Sequence, residues 1–178
     1  MATRTGEHVV HGTALVIGTA GVLLRGPSGA GKSTLALELL RRARLDGRFA
    51  ALVADDRVRL EAVSGRLVAG VPPPIRGLAE LRGFGLVVLP TAPAAVIRLV
   101  ATLLPEARME RIPSGEDTAG FGDVHVPHLA LPERSDAAAS LVEAAIGARR
   151  SGATELRAAT PPPGKGSAFG VSPPGEIG

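Results

Sequence analysis

The sequence predicts an α/β fold in which a strand, a glycine-rich loop and a helix form the core and a mixed, partly antiparallel sheet completes the domain. Three observations carry that prediction. The apolar run Gly21-Val22-Leu23-Leu24-Arg25 leads directly into a loop containing three glycines. Residues 33–44 then repeat Leu35, Leu39 and Leu40 at helical spacing. Several later segments have strand length and strand composition, two of them joined by a tight Ser64-Gly65 turn.

Each element follows from local chemistry. Residues 9–17 are β-branched and apolar, and a glycine separates them from the run at 21–25, so two tightly joined strands are expected. The helix over 33–44 closes with Arg41, Arg42 and Arg44, where cations complement the helix dipole, and Asp46-Gly47 stops it. Residues 49–54 are continuously apolar, the pattern of a strand covered on both faces. Alternation over 57–63, the turn, and residues 66–69 predict a hairpin. Pro72, Pro73 and Pro74 exclude helix and central strand, so a rigid loop crosses there. Residues 86–89 and 95–104 predict further strands, 114–122 a polar surface loop, and 124–131 a last strand. A closing helix over 136–149 is capped by Ser135 or Asp136. Beyond Ser151, Pro, Gly, Ser and Thr dominate without apolar periodicity. Residues 1–150 are therefore expected to form one domain and 151–178 a disordered tail.

Composition narrows the function. A chain of 178 residues, 45% of them hydrophobic, can bury one core. It has no run approaching the roughly 18 apolar residues of a membrane helix, and its N-terminus lacks the apolar stretch of a signal peptide. Cysteine is absent, which excludes disulfides and thiolate metal sites and suits a reducing cytoplasm. The pI of about 10.5 accompanies a net charge of only +3. With aromatics at 2% and no Tyr or Trp, platforms for stacking bases are nearly absent, so neither a nucleic acid nor a membrane is expected as a partner.

Gly26-Pro27-Ser28-Gly29-Ala30-Gly31-Lys32-Ser33 fits the Walker A pattern G-x-x-x-x-G-K-[ST]. A triphosphate is cradled by inward-pointing backbone N–H groups, which requires bends that glycine tolerates and an approach free of side chains. The helix beginning behind Lys32 adds the positive end of its dipole. Lys32 is expected on the β- and γ-phosphates, and the Ser33 hydroxyl on Mg²⁺. The strand before the loop and the helix after it supply the context the motif demands. The domain is thus read as a P-loop nucleotide-binding core that takes ATP and Mg²⁺.

Such a site needs carboxylates for metal and nucleophile. Asp55 and Asp56 stand at the end of the most apolar strand, where ligands of open α/β sheets gather. Consecutive strand residues face opposite sides, so one is expected to act as base while the other holds metal-bound water. Glu80-Leu81-Arg82-Gly83-Phe84-Gly85 carries no assignment from spacing alone. His11, a lone histidine in a strand, reads on its own as structural, and His125 and His128 lack a third ligand for a metal.

Taken together, His11-Gly12, the loop with its leading strand, Leu52-Val53-Ala54-Asp55-Asp56-Arg57-Val58, Glu80-Leu81-Arg82-Gly83-Phe84-Gly85 and Val126-Pro127-His128 resemble the catalytic domain of HPr kinase/phosphorylase, in family order over residues 8–131. The pattern is similar to the short version of that family, which lacks an N-terminal domain. The resemblance implies ATP-dependent phosphorylation of a serine on a small HPr-type phosphocarrier protein, with homo-oligomerisation as a family property. It implies that Gly26, Pro27, Ser28, Gly29, Ala30, Gly31, Lys32, Ser33 and Thr34 bind ATP and that Ser33 and Glu80 hold Mg²⁺. It further implies that Asp56 accepts the serine proton with Asp55 beside it, and that Lys32, His11 and Arg82 complete the catalytic set. Two departures stand out. Thr34 occupies a position where the family usually has Glu, and Leu131-Pro132-Glu133-Arg134-Ser135 replaces a basic loop with a Gly-Arg-Asn core. The implication is therefore fuller for phosphorylation than for its reversal. A P-loop small-molecule kinase or ATPase, and a nucleotide sensor without turnover, are the alternatives.

Overall fold

The computed structural model describes residues 4–71, 78–81, 85–109 and 118–150. Strand β1 (Arg4–His11) is followed by β2 (Thr13–Ile17) and β3 (Ala20–Arg25), and the helix α1 (Lys32–Leu45) leads to β4 (Ala50–Ala54). Strands β5 (Arg57–Val63) and β6 (Arg66–Gly70) form the expected hairpin, and β7 (Leu78–Leu81) pairs with β8 (Gly85–Val88). The long β9 (Ala94–Leu104), β10 (Thr118–Phe121), β11 (Val124–Pro132) and α2 (Ala138–Arg150) complete the order.

The main sheet runs β1-β5-β6-β9-β3-β2-β4, with β11 beside the C-terminal half of β9 and β10 beside β11. Its pairings are antiparallel except β3 with β9 and β9 with β11, which are parallel. Because β2 is antiparallel to both β3 and β4, strands β3, β4, β9 and β11 all end at one edge. That edge carries the phosphate loop.

The sheet is buried on both faces. One face packs under the helices: Leu15, Leu24, Leu52, Leu99 and Leu103 meet Leu35, Leu39 and Leu40 of α1 and Val142 and Ile146 of α2. The other face closes on itself through Leu23, Val53, Leu60, Leu67, Val100 and Val126. Neighbours such as Leu23 and Leu24 serve opposite cores, which is why the central strands lack polar alternation. Among the described residues no helix is long and apolar enough to cross a membrane.

Three expectations change. The apolar stretch at 9–17 is two strands, because the chain changes partners at Gly12, whose N–H donates to Asp56 O at 3.2 Å at the end of the pairing with β5. β1 then pairs with β5, whereas β2 pairs with β3 and β4. Residues 118–121, expected in a loop, form β10 by pairing Thr118–Phe121 with residues 124–127 of β11. β7 also has no forerunner in the sequence pattern. The proline loop at 72–74 and the tail at 151–178 lie outside the described residues.

The two helices are tied by a charged network. Glu38 accepts from Arg41 and Arg42 of its own helix, while Arg42 and Arg48 both reach Glu143 of α2. The Arg41 and Arg42 guanidiniums lower the Glu38 carboxyl from its ordinary 4.5 to about 2. A carboxyl depressed by folding contributes stability above pH 4.5, and the contribution is lost as pH falls through about 2. Glu38→Gln is expected to flatten this part of an acid-unfolding profile followed by circular dichroism. Superimposable profiles would show that the network adds nothing.

Candidate functional site

The site grows from the edge where the parallel strands end. β3 delivers the chain to Gly26, whose φ of +141° suits only glycine. A Cβ there would also lie 2.8 Å from the Leu103 carbonyl of β9. The loop then closes on itself through Ala30 N–H to Pro27 O at 3.3 Å, and α1 starts from a left-handed Gly31. Pro27, Ser28 and Gly29 are exposed and Ala30 is buried. Thr34 is exposed on the first turn of the helix.

Lys32 is buried, at 7% exposure, yet its ammonium is not idle. It donates to the Gly26 carbonyl at 3.0 Å and the Pro27 carbonyl at 2.8 Å, and to His11 Nε2 at 3.2 Å. An ammonium can only donate, so His11 accepts through Nε2 and carries its hydrogen on Nδ1. That Nδ1–H faces Asp56, 3.1 Å from its carbonyl oxygen and 3.0 Å from carboxylate Oδ1. A chain of contacts therefore runs from the phosphate loop through His11 to Asp56.

β4 ends at Ala54, and the two aspartates that follow are divided by backbone geometry. Asp55 turns inward: Thr13 Oγ1 donates to its Oδ1 at 2.7 Å, its neighbour's N–H at 3.1 Å, and Ser33 Oγ approaches both carboxylate oxygens at 3.2 Å. Asp56 adopts a left-handed φ of +68°, uncommon for a residue with a side chain and costly unless its surroundings hold it. It leaves the strand and presents its carboxylate, 75% exposed, at the mouth of the cleft. One carboxylate is fixed against the loop hydroxyl; the other is open to an incoming group. The Ser33 hydroxyl and Asp55 carboxylate are hard oxygen donors that fit Mg²⁺ bound mainly through phosphate and water oxygens. Among the described residues, no cluster of three or more His, Asp or Glu could hold a metal alone.

The backbone of Glu80 lies in β7 opposite Leu86. Its side chain, and all of Arg82, fall outside the description. His128 bonds Thr102 Oγ1 through Nε2 at 2.8 Å, between adjacent parallel strands.

Arg134 is the residue that sequence reasoning passed over. β11 runs parallel to β9 with Pro132 opposite Leu104, and Glu133 N–H extends the pairing to Leu104 O at 2.9 Å. Arg134 then takes a left-handed φ of +54° and donates from its guanidinium to Gly29 O at 3.4 Å. A cation thus overhangs the loop from the end of β11. Its only signal in the sequence is its place immediately after a strand.

This geometry has known counterparts. The family model described as HPr Serine kinase C-terminal domain matches residues 3–160. An HPr kinase/phosphorylase of Limosilactobacillus reuteri is 32% identical over 137 residues, covering 71% of this chain and 41% of that protein. One from Lacticaseibacillus casei is 35% identical over 134 residues, covering 69% and 40%. The chain thus spans about two fifths of the length of these curated relatives. In fold it is similar to the Hpr(Ser) kinase/phosphatase of Coxiella burnetii, with a TM-score of 0.68, 24% identity, and coverage of 82% of this chain and 97% of that one. With the family model covering most of its length, the chain belongs to the HPr serine kinase C-terminal domain family.

Proposed function

We propose that this chain is an ATP-dependent serine kinase whose acceptor is a small HPr-type phosphocarrier protein. The observation that carries the reading is the division of labour between Asp55, held on Ser33, and Asp56, free at the cleft mouth and backed by His11. A pure binder has no use for the second carboxylate. The names of the relatives support the same substrate class.

When bound, ATP supplies the phosphoryl group and Mg²⁺ neutralises charge on its oxygens. The protein positions and compensates. The loop amides and the N-terminus of α1 receive the phosphates, and Lys32 exchanges its two carbonyl partners for phosphate oxygens. Ser33 and Asp55 hold the metal side, and Glu80 is assigned there as a further ligand. The serine hydroxyl gives its proton to the Asp56 carboxylate as its oxygen bonds to the γ-phosphorus and the bond to the β-phosphate oxygen breaks. His11 orients Asp56 through Nδ1–H. Arg82 keeps the catalytic role that the family resemblance implies. A cytoplasmic location fits the reading, with self-association as a further proposal.

Arg134 adds positive charge above the loop. Arg134→Gln is expected to lower kcat about a hundredfold, the lower end of the range for one preorganised donor, because the guanidinium is open to solvent. Steady-state kinetics should show less change in the KM for ATP. An unaltered kcat would remove Arg134 from the catalytic set.

The acceptor is tested by ADP release. A protein kinase releases ADP in step with carrier phosphorylation, and little without the carrier. Rapid release independent of carrier would identify a hydrolase instead. No release with or without the carrier, ATP binding being intact, would identify a nucleotide sensor or a kinase for a different acceptor.

A further inference from the structure

A second cavity lies at the opposite end of the sheet, where β3 begins. Six strand residues, roughly 20 Å, separate it from the phosphate loop. Its volume is about 410 Å³. Arg66, Arg98 and His125 stand among its lining residues, with Ile97, Leu99 and Ile146 supplying apolar surface. All three basic side chains are exposed, and among the described residues the lining contains no carboxylate.

The backbone is shaped around these cations. Gly21 pairs with Ile97 and Val22 with Leu99, so Arg98 is the extra residue of a β-bulge. Ile97 and Leu99 consequently enter opposite cores, and Arg98 is turned outward between them. Gly21 is required by the close approach, since a Cβ there would lie 2.6 Å from Val96 O. β6 and β9 pair only as far as Val68 with Val96, and Arg66 and Arg98 lie two residues beyond that last pair on their strands, both lining the cavity. Two like charges held at one cavity repel each other. Among the described residues, neither guanidinium has an ion-pair partner. Two forked donors, an imidazole and an apolar floor make an oxyanion receptor of small-molecule size.

We infer that this cavity binds a small molecule carrying a dianionic oxyanion, phosphate or dicarboxylate, independently of the phosphate loop. Arg66 and Arg98 hold the oxyanion, His125 adds a hydrogen bond, and the apolar floor receives the carbon skeleton. A bound dianion offsets the repulsion between the two guanidiniums that line the cavity.

The test is a titration of the isotope-labelled full chain with inorganic phosphate, and separately with succinate, against chloride at matched ionic strength. Saturable amide shifts are expected at Gly65, Arg66, Arg98 and His125. They should persist in Lys32→Ala, which disables the phosphate loop. The double variant Arg66→Gln with Arg98→Gln should bind at least about tenfold more weakly, as loss of charge-assisted donors predicts. Its melting temperature without ligand should be equal or higher, which separates lost binding from misfolding. Saturation by phosphate alone or by succinate alone identifies the class and supports the site. Shifts confined to residues 26–33, shifts matched by chloride, or unchanged affinity in the double variant would overturn it.

Discussion

Asp56→Asn is expected to abolish most phosphoryl transfer while ATP still binds. The amide has the size and shape of the carboxylate and can accept from His11 Nδ1–H through its own oxygen. Asparagine also tolerates the left-handed backbone seen at this position, where φ is +68°. The fold and the cleft should therefore survive. What the amide cannot do is take the serine proton. Loss of a positioned general base lowers kcat by about 10²–10⁴-fold. Nucleotide affinity should stay within a few-fold, because Asp56 contacts His11 and not the loop. Kinetics and nucleotide titration on the same preparation check both halves. A variant that binds ATP normally and phosphorylates at the parent rate would show that Asp56 is not the proton acceptor.

Lys32→Ala should have an effect at least as large, of a different kind. The ammonium is buried among loop carbonyls and faces the space where phosphate oxygens would enter. Its removal takes the nearest fixed positive charge from both the bound nucleotide and the developing transition state. A fall of about 10³-fold in kcat/KM is expected, the upper end for a single preorganised group, with nucleotide binding weakened as well. His11 also loses the donor that fixes its Nδ1–H tautomer, so the orientation of Asp56 slackens. Retained affinity with lost turnover would restrict Lys32 to the transition state. Retained turnover would contradict the phosphate-loop assignment.

What the sequence disclosed, and what it hid, follows from the range of the interactions. The phosphate loop, its helix, the hairpin and the doubly buried β4 were legible because each depends on neighbours in the chain. β10 was hidden because its strand state comes from pairing with β11, against its glycine-rich surroundings. The break at Gly12 was hidden for a similar reason: there the chain leaves its pairing with β5 and takes up β3 and β4, a change set by strands distant in the sequence. Strand periodicity set the Asp55 and Asp56 side chains on different sides, and the structure places them apart. It could not say which of them approaches Ser33, because the strand stops at Ala54 and the left-handed turn at Asp56 decides. Arg134 reaches the loop only through the parallel pairing of β9 and β11, which leaves no local pattern to read. Glu80 and Arg82 rest on the family pattern.

The central claim is tested most directly by incubating the purified chain with Mg²⁺, ATP labelled at its γ-phosphate, and the HPr-type carrier from the same organism, with Lys32→Ala alongside. Label on a carrier serine, absent with the variant, is the predicted result. An unlabelled carrier, with ATP binding intact, would contradict the account.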